Sequence, residues 1–341
     1  MLLLNDFSVV LGFSYFLDGE LYKIDRVNIV YIIFAPRCKL YHHLLRFVSS
    51  KKYLVYNLLP SMMRLEKIVP EDKEEIRAMS AGIWEGNDYI PKVFDRWVED
   101  EGFYKGVLDD RIIAVCKYTR HPGGVLWLEG LRVHPKLQNK GYGSEVAGMF
   151  HRLITSKEYT ALRFMTDATN AKSIHLAEKR GFDVVLELYH LDYEGVGDEE
   201  EGIAQEYDLG AVKDFVFSSR EYQTYRKMYI KNWTAYDLTP ELLEEELKAG
   251  NCFSVKENDE IQGVIFMNYH RRYGRVSVPF LAGADPVVDK LIRHAMWWSG
   301  EYGKGYLLLK TPFQKVKEMA ETAGMELAPY RKVLVLELKN K

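Results

Sequence analysis

Apolar and polar positions along the chain assign an element to nearly every stretch after residue 63. Leu65, Lys67 and Val69 alternate with Arg64, Glu66 and Ile68, which predicts a short strand. Pro70-Glu71-Asp72 then opens a helix whose first turn carries acids, where the helix dipole favours them. A loop at 82–90 leads to a second helix starting near Pro91. The runs Phe103–Leu108 and 112–118 predict a hairpin closed by Asp109-Asp110. Val125–Val133 is a third run rich in β-branched and aromatic residues. From Ser144 to about Ile154, Val146, Ala147, Phe150 and Leu153 recur at helical spacing. A strand at 162–166, a helix at 171–180 ended by Gly181, and a strand near 184–191 complete an α+β pattern.

The second half repeats the first. Trp84, Asp88 and Pro91 recur as Trp233, Asp237 and Pro240, an offset of 149, and Asp110, Ile112 and Val115 recur as Asp259, Ile261 and Val264 at the same offset. Ala177, Glu178 and Gly181 recur as Ala320, Glu321 and Gly324 at an offset of 143, so six residues are lost between the third strand and the fourth helix. In the second copy a strand at 275–281 runs through Ala282-Gly283-Ala284-Asp285 into a helix whose expected first residue is Pro286.

Composition adds boundaries. Residues 1–62 hold one alanine, twelve leucines, six tyrosines and a net charge of +3, with no sustained period; they are an N-terminal extension or sequence upstream of a start at Met62 or Met63. The acidic, glycine-containing stretch 194–205 reads as a linker between a copy at 63–193 and a copy at 206–341. A net charge of −3 offers no basic surplus for nucleic acid, and the apolar run 27–35 is too short to span a bilayer. Cys38, Cys116 and Cys252 are odd in number and far apart, which argues against a disulfide framework or a metal cluster and for a reducing, cytoplasmic compartment. The histidines show no metal-ligand spacing.

The chemistry centres on Gln138-Asn139-Lys140-Gly141-Tyr142-Gly143-Ser144, between a strand and a helix. Glycines there let the backbone approach an anion, toward which free N–H groups and the helix dipole point. The spacing fits neither the dinucleotide-binding fingerprint nor a phosphate-binding P-loop. With Val133-His134-Pro135 before it and Asn170-Ala171-Lys172-Ser173 to Gly181-Phe182 after it, the loop resembles the acetyl-CoA site of the GNAT acyltransferase superfamily. The resemblance implies a tandem GNAT N-acyltransferase fold, a mixed central sheet flanked by helices. It assigns Gln138, Asn139, Lys140, Gly141, Tyr142, Gly143 and Ser144 to the pyrophosphate of acetyl-CoA, the backbone of Leu131, Arg132 and Val133 to the pantetheine arm, and Asn170 to the same arm. Asn170 serves equally well as the cap of the following helix. The second copy lacks the loop and has Val278 where the first has Glu129, so it is expected to be degenerate and to bind no acetyl-CoA. The two copies are expected to pack as a pseudo-dimer of sheets.

Glu129 is the candidate general base. Simple alternation puts it on one face with Trp127, Leu131 and Val133, where a carboxylate needs a partner or a task. A bulge at Gly130 would turn it elsewhere, and a salt-bridged Glu is the bland alternative. Tyr89, Trp84 and Asp88 border the acceptor pocket by resemblance, although Trp84 and Asp88 recur in the second copy and so also suit a turn. Relatives often carry a Tyr where this chain has Ala177; His175 or Tyr142 could replace it as acid. The segments 82–91 and 128–133 also resemble histidine N-acetyltransferases, which implies a free amino acid or other small amine as acceptor. A protein or peptide N-acetyltransferase and a non-catalytic acyl-CoA sensor are the alternative functions. Neither the acceptor nor the oligomeric state follows from the sequence.

Overall fold

The computed structural model describes residues 13–17, 20–24, 63–83, 86–198, 202–271, 274–302 and 305–340. The chain divides into two compact units at Met62/Met63. In the first unit, β1 (Phe13–Leu17) and β2 (Glu20–Ile24) form an antiparallel pair, strands that the irregular composition did not reveal.

The second unit is built on one sheet of twelve strands in the order β3-β4-β5-β6-β7-β16-β8-β15-β14-β13-β12-β9. The first half supplies β3 (Arg64–Lys67), β4 (Phe103–Leu108), β5 (Arg111–Arg120), β6 (Val125–Val133), β7 (Ala161–Asp167) and β8 (Asp183–Glu194). The second supplies β9 (Ala204–Gln205), β12 (Cys252–Glu257), β13 (Glu260–His270), β14 (Arg275–Gly283), β15 (Tyr306–Thr311) and β16 (Glu326–Lys339). A separate hairpin pairs β10 (Met228–Lys231) with β11 (Thr234–Asp237). The repeat is visible in turn geometry: Asp109-Asp110 and Asn258-Asp259 each hold two positive-φ residues between antiparallel strands. Short polar side chains tolerate that conformation best among non-glycines.

The halves exchange their last strands. β16 lies between β7 and β8 and runs antiparallel to both, while β8 lies between β16 and β15. Two separate sheets packed as a pseudo-dimer are therefore not what forms. Each half leaves one strand edge open, and the partner half's final strand closes it with a full ladder of hydrogen bonds, which two stacked sheets could not provide. Alternation along β16 distributes its burial between two cores. Leu334 and Leu336 pack with Leu126, Leu162 and Ala177, and Val333 and Val335 pack with Leu186, Leu188 and Trp127.

Helices cover both faces. α1 (Lys73–Ser80) and α2 (Ile90–Glu99) bury Ile76, Met79, Val93, Phe94 and Trp97 in a cluster with Phe103 and Val115. α3 (Tyr142–Thr155) buries Val146, Phe150 and Ile154, and α4 (Ala171–Glu178) buries Ala177, in the cluster that receives Leu334 and Leu336. The second half adds α5 (Leu209–Ser218), α6 (Arg220–Thr224), α7 (Pro240–Lys248), α8 (Asp285–Tyr302) and α9 (Gln314–Thr322). Pro91 and Pro240 sit in the first turns of α2 and α7, where a missing N–H costs nothing. Among the described residues no helix is long and apolar enough to cross a membrane.

Candidate active site

β6 and β7 are parallel and pair only at Val125↔Ala161, Leu126↔Leu162 and Trp127↔Arg163. Beyond that point residues 128–133 of β6 pair with β5 alone, so the strands diverge and one edge of β6 is left without a strand partner. Leu131, exposed despite its apolar side chain, lies on this edge. The divergence leads to the glycine loop. After Val133 come a single 3-10 turn, Pro135–Leu137, and then α3, which starts at Tyr142, two residues earlier than the spacing predicts.

The loop is held open from behind. Asn139 and Gly141 adopt positive φ, 62° and 89°. The Gln138 side-chain amide donates to the Val133 carbonyl (3.2 Å), Lys172 Nζ donates to Asn139 Oδ1 (2.8 Å), and Arg180 Nη2 donates to the Ser144 carbonyl (2.7 Å). Ser144 and Glu145 give their N–H groups to the Gly141 carbonyl, but 139–143 donate to no backbone carbonyl among the described residues. A Cβ built on Gly141 would meet nothing within 4 Å. Free amides at a helix N-terminus facing open space fit a phosphate group. Asn170 fulfils its capping role: Oδ1 accepts from Ser173 N (3.2 Å) and Nδ2 donates to Thr166 Oγ1 (3.1 Å).

In the second half only Ala284 separates β14 from α8. Asp285, in the first turn of α8, pairs with Lys315. A carboxylate occupies the helix end where the first half presents free amides, which opposes an anion.

The bulge at Gly130 is present and rearranges the strand. Val115 faces Arg132 and Lys117 faces Glu129, so Cys116 opposes both Gly130 and Leu131. Glu129 therefore shares its face with Trp127 and Arg132; Leu131 and Val133 turn to the other face, contrary to simple alternation. Gly130 has φ 67°, and a Cβ there would sit 2.8 Å from the Trp97 ring, so glycine is required twice over.

Glu129 is half-buried, with Oε1 accepting from Thr119 Oγ1 (2.7 Å). Thr119 Oγ1 in turn accepts from Lys117 Nζ (3.2 Å), which also donates to the carbonyls of Glu101 (2.7 Å) and Tyr118 (2.6 Å). Burial raises the Glu129 carboxyl above its ordinary range, against the Thr119 hydrogen bond and the charges of Lys117 and Arg96, and Asp100 adds to the rise. Lys117, Thr119 and Arg96 escaped the sequence reading. The alternation of Lys117 and Thr119 along β5 was its available signal for the first two.

Asp88 is buried, 3% exposed; its Oδ2 lies 3.4 Å from Arg132 Nε and its Oδ1 accepts from Ile90 N (3.4 Å) at the start of α2. Tyr89 packs edge-on to Trp97 (5.8 Å between centroids) and under the Arg132 guanidinium (5.3 Å). Burial pushes its hydroxyl up to about 12. Asp88, Tyr89 and Arg132 thus tie α2 to β6 beside Glu129, and Trp84 lies outside the described residues. Ala177 is 6% exposed, with its methyl in the core, whereas His175 is exposed on α4.

Residues 67–182 match the model of the acetyltransferase (GNAT) family. No curated protein matches the chain by sequence. Among solved structures, a GCN5-related N-acetyltransferase from Sphaerobacter thermophilus aligns with 13% identity and a TM-score of 0.55, covering 81% of this chain and 95% of that one. An inferred acetyltransferase from Pyrococcus horikoshii aligns with 14% identity and a TM-score of 0.52, covering 82% and 90%. A tandem GNAT protein from the clavulanic acid biosynthesis pathway aligns with 11% identity and a TM-score of 0.49, covering 82% and 98%. Residues 67–182 carry a domain of the GNAT acetyltransferase family, and the chain is an acyltransferase.

Proposed function

We propose that the protein transfers the acetyl group of acetyl-CoA to the primary amine of a small acceptor, a free amino acid or a compact amine, at one site in its first half. The observation that carries this reading is the half-buried Glu129 carboxylate, oriented by Thr119 beside the point where β6 parts from β7.

The loop amides of residues 139–143 hold the pyrophosphate, with Gln138, Ser144 and Lys140 beside it, and the open β6 edge at Leu131, Arg132 and Val133 takes the pantetheine amides as an added strand would. Asn170 borders that arm from the cap of α4. Bound acetyl-CoA supplies the thioester. An amine arriving as ammonium must lose a proton before it can attack, and Glu129 takes that proton. Thr119 holds Oε1 and leaves Oε2 for this task, while burial brings the carboxyl closer to useful base strength. Ala177 offers no hydroxyl, so the departing sulfur receives no proton from that position. Tyr89 lines the acceptor side, and Asp88 and Arg132 keep it in place.

A small acceptor is favoured over a protein chain because the second half covers the sheet face next to Glu129: Asp237 of β11 pairs with Arg163 of β7 (2.9 Å). A screen of free amino acids, polyamines and peptides for acetyl-CoA-dependent release of CoA tests the reading. Turnover confined to peptides would overturn it, and so would unchanged turnover in Glu129→Gln.

A further inference from the structure

We propose that the acceptor cleft over Glu129 is built by both halves of the chain, with Tyr236 of the second half as its specificity-determining wall. The proposal rests on Glu129 being the base of the acetyl transfer. β5, β6 and β7 present Thr119, Trp127, Glu129 and Arg163 on one face of the sheet, and His121, the residue after β5, continues it with its N–H on the Val125 carbonyl (2.8 Å). β11 lies against that face. The His121 ring stacks on Tyr236, with centroids 4.4 Å apart and planes at 20°, and on Trp127 at 5.9 Å and 11°.

The result is a three-ring column bordering the carboxylate two residues along β6. Its middle ring is uncharged at neutral pH, because burial pushes His121 down to about 4. The column is pinned from below. Arg163 Nη1 donates to the Ala235 carbonyl (3.3 Å) and to Asp237 Oδ1 (2.9 Å), the residues on either side of Tyr236, and Arg163 Nε donates to Glu337 Oε2 (2.9 Å) on β16. A first-half guanidinium held by two strands of the second half leaves little freedom to the strand that carries Tyr236.

Glu129 thus lies between two walls. α2 forms one, with Trp97 against Gly130 and Tyr89 against Arg132. Tyr236 forms the other, half-buried, and the Glu129 charge contributes with burial to raising its hydroxyl above the ordinary range. An amine reaching Glu129 passes along the face or edge of this ring. The ring attracts an ammonium group and limits the bulk attached to it. Nothing in the sequence repeat points to Tyr236, since its counterpart at the offset of 149 is Asn87.

Two measurements on the full chain test the wall. In the first, kcat/KM is measured for a series of primary amines of increasing size. Tyr236→Ala should move the ratio of the bulkiest to the smallest accepted amine by about tenfold or more toward the bulky one, with acetyl-CoA affinity unchanged. Tyr236→Phe should keep the wild-type ratio. An equal loss for every amine, or no change, overturns the proposal. The second needs no turnover: Glu129→Cys, in a Cys38→Ser background with Cys116 and Cys252 buried, is alkylated with a compact and a bulky thiol reagent. Adding Tyr236→Ala should raise the bulky-to-compact rate ratio about tenfold, and an unchanged ratio overturns the wall. If the wild type acetylates no amine while this ratio shifts, the function fails and the wall stands. Tyr236→Leu repeats both measurements should Tyr236→Ala lose its melting transition.

Discussion

The exchanged strands predict that a substitution at the far end of the sequence damages the acetyl-CoA half directly. Leu336, in the last strand, is fully buried, and its neighbours are Leu126, Leu162, Ala177 and Phe182 of the first half. Leu336→Ala removes three carbons from that cluster, and β16 is held on both sides by β7 and β8, so the cavity has little room to collapse. The expected cost is about 2–5 kcal/mol. Set against a typical folding stability of about 5–15 kcal/mol, that is a large share, and the melting temperature should fall on the order of 10 °C. Leu309→Ala, in the core between β15 and α8, should lower the same single transition. Acetyl-CoA should raise that transition in both variants, by about 2.7 kcal/mol at a hundredfold excess over Kd, because a ligand of one half stabilises everything that unfolds with it. Denaturant unfolding followed by tryptophan fluorescence and by calorimetry measures this, with Trp84, Trp97 and Trp127 in the first half of the sequence and Trp233, Trp297 and Trp298 in the second. Two resolved transitions, with the acetyl-CoA-sensitive one unmoved by Leu336→Ala, would refute strand exchange as the source of cooperativity. By the same reasoning a 63–193 fragment should be insoluble, since β7 would lose its register partners at 333–339.

Four further outcomes are expected. Glu129→Gln should depress turnover strongly, leave acetyl-CoA affinity intact and abolish the acidic limb of the kcat/KM profile, a limb that should lie above the usual carboxylate range because burial raises this carboxyl amid Lys117, Arg96, Asp100, Tyr89 and Tyr236. A raised folded-state pKa means stability is greatest below the unfolded value and falls as pH rises through the folded one, so the Gln variant should melt higher than wild type at neutral pH and not in acid. Gly143→Val should abolish acetyl-CoA binding in calorimetric titration with the fold retained, since its Cβ meets only Val133 at 3.5 Å; Gly141→Val should also lose stability through its positive φ. Titration of the intact chain should return one acetyl-CoA, and two would contradict the degenerate second half. A chain begun at Met63 should bind acetyl-CoA like the full one, and a large fall in its melting temperature would make residues 1–62 part of the fold.

How much of this was legible in advance depended on the range of the interaction. Local signals carried the elements, the glycine loop and the repeat. Turn chemistry, helical spacing and the residues around Gly141 act over a few neighbours, so they are written in consecutive positions, and the six-residue loss before α8 could be counted directly. Glu129 was visible as a carboxylate in an apolar strand, but its orientation was not. The bulge that turns Leu131 and Val133 away from it depends on the Trp97 ring of α2 pressing on Gly130 and on the pairing with β5, neither of which alternation along one strand encodes. The exchange of β8 and β16 lay further out of reach. Either strand could satisfy its period of two beside its own half or beside the other, and only the closing of both open edges in one sheet decides between them. For the same reason the second half's contribution at Tyr236 belongs to tertiary structure alone: Arg163 must first reach across to Ala235, Asp237 and Glu337 before that ring can stack on His121, more than a hundred residues away in sequence.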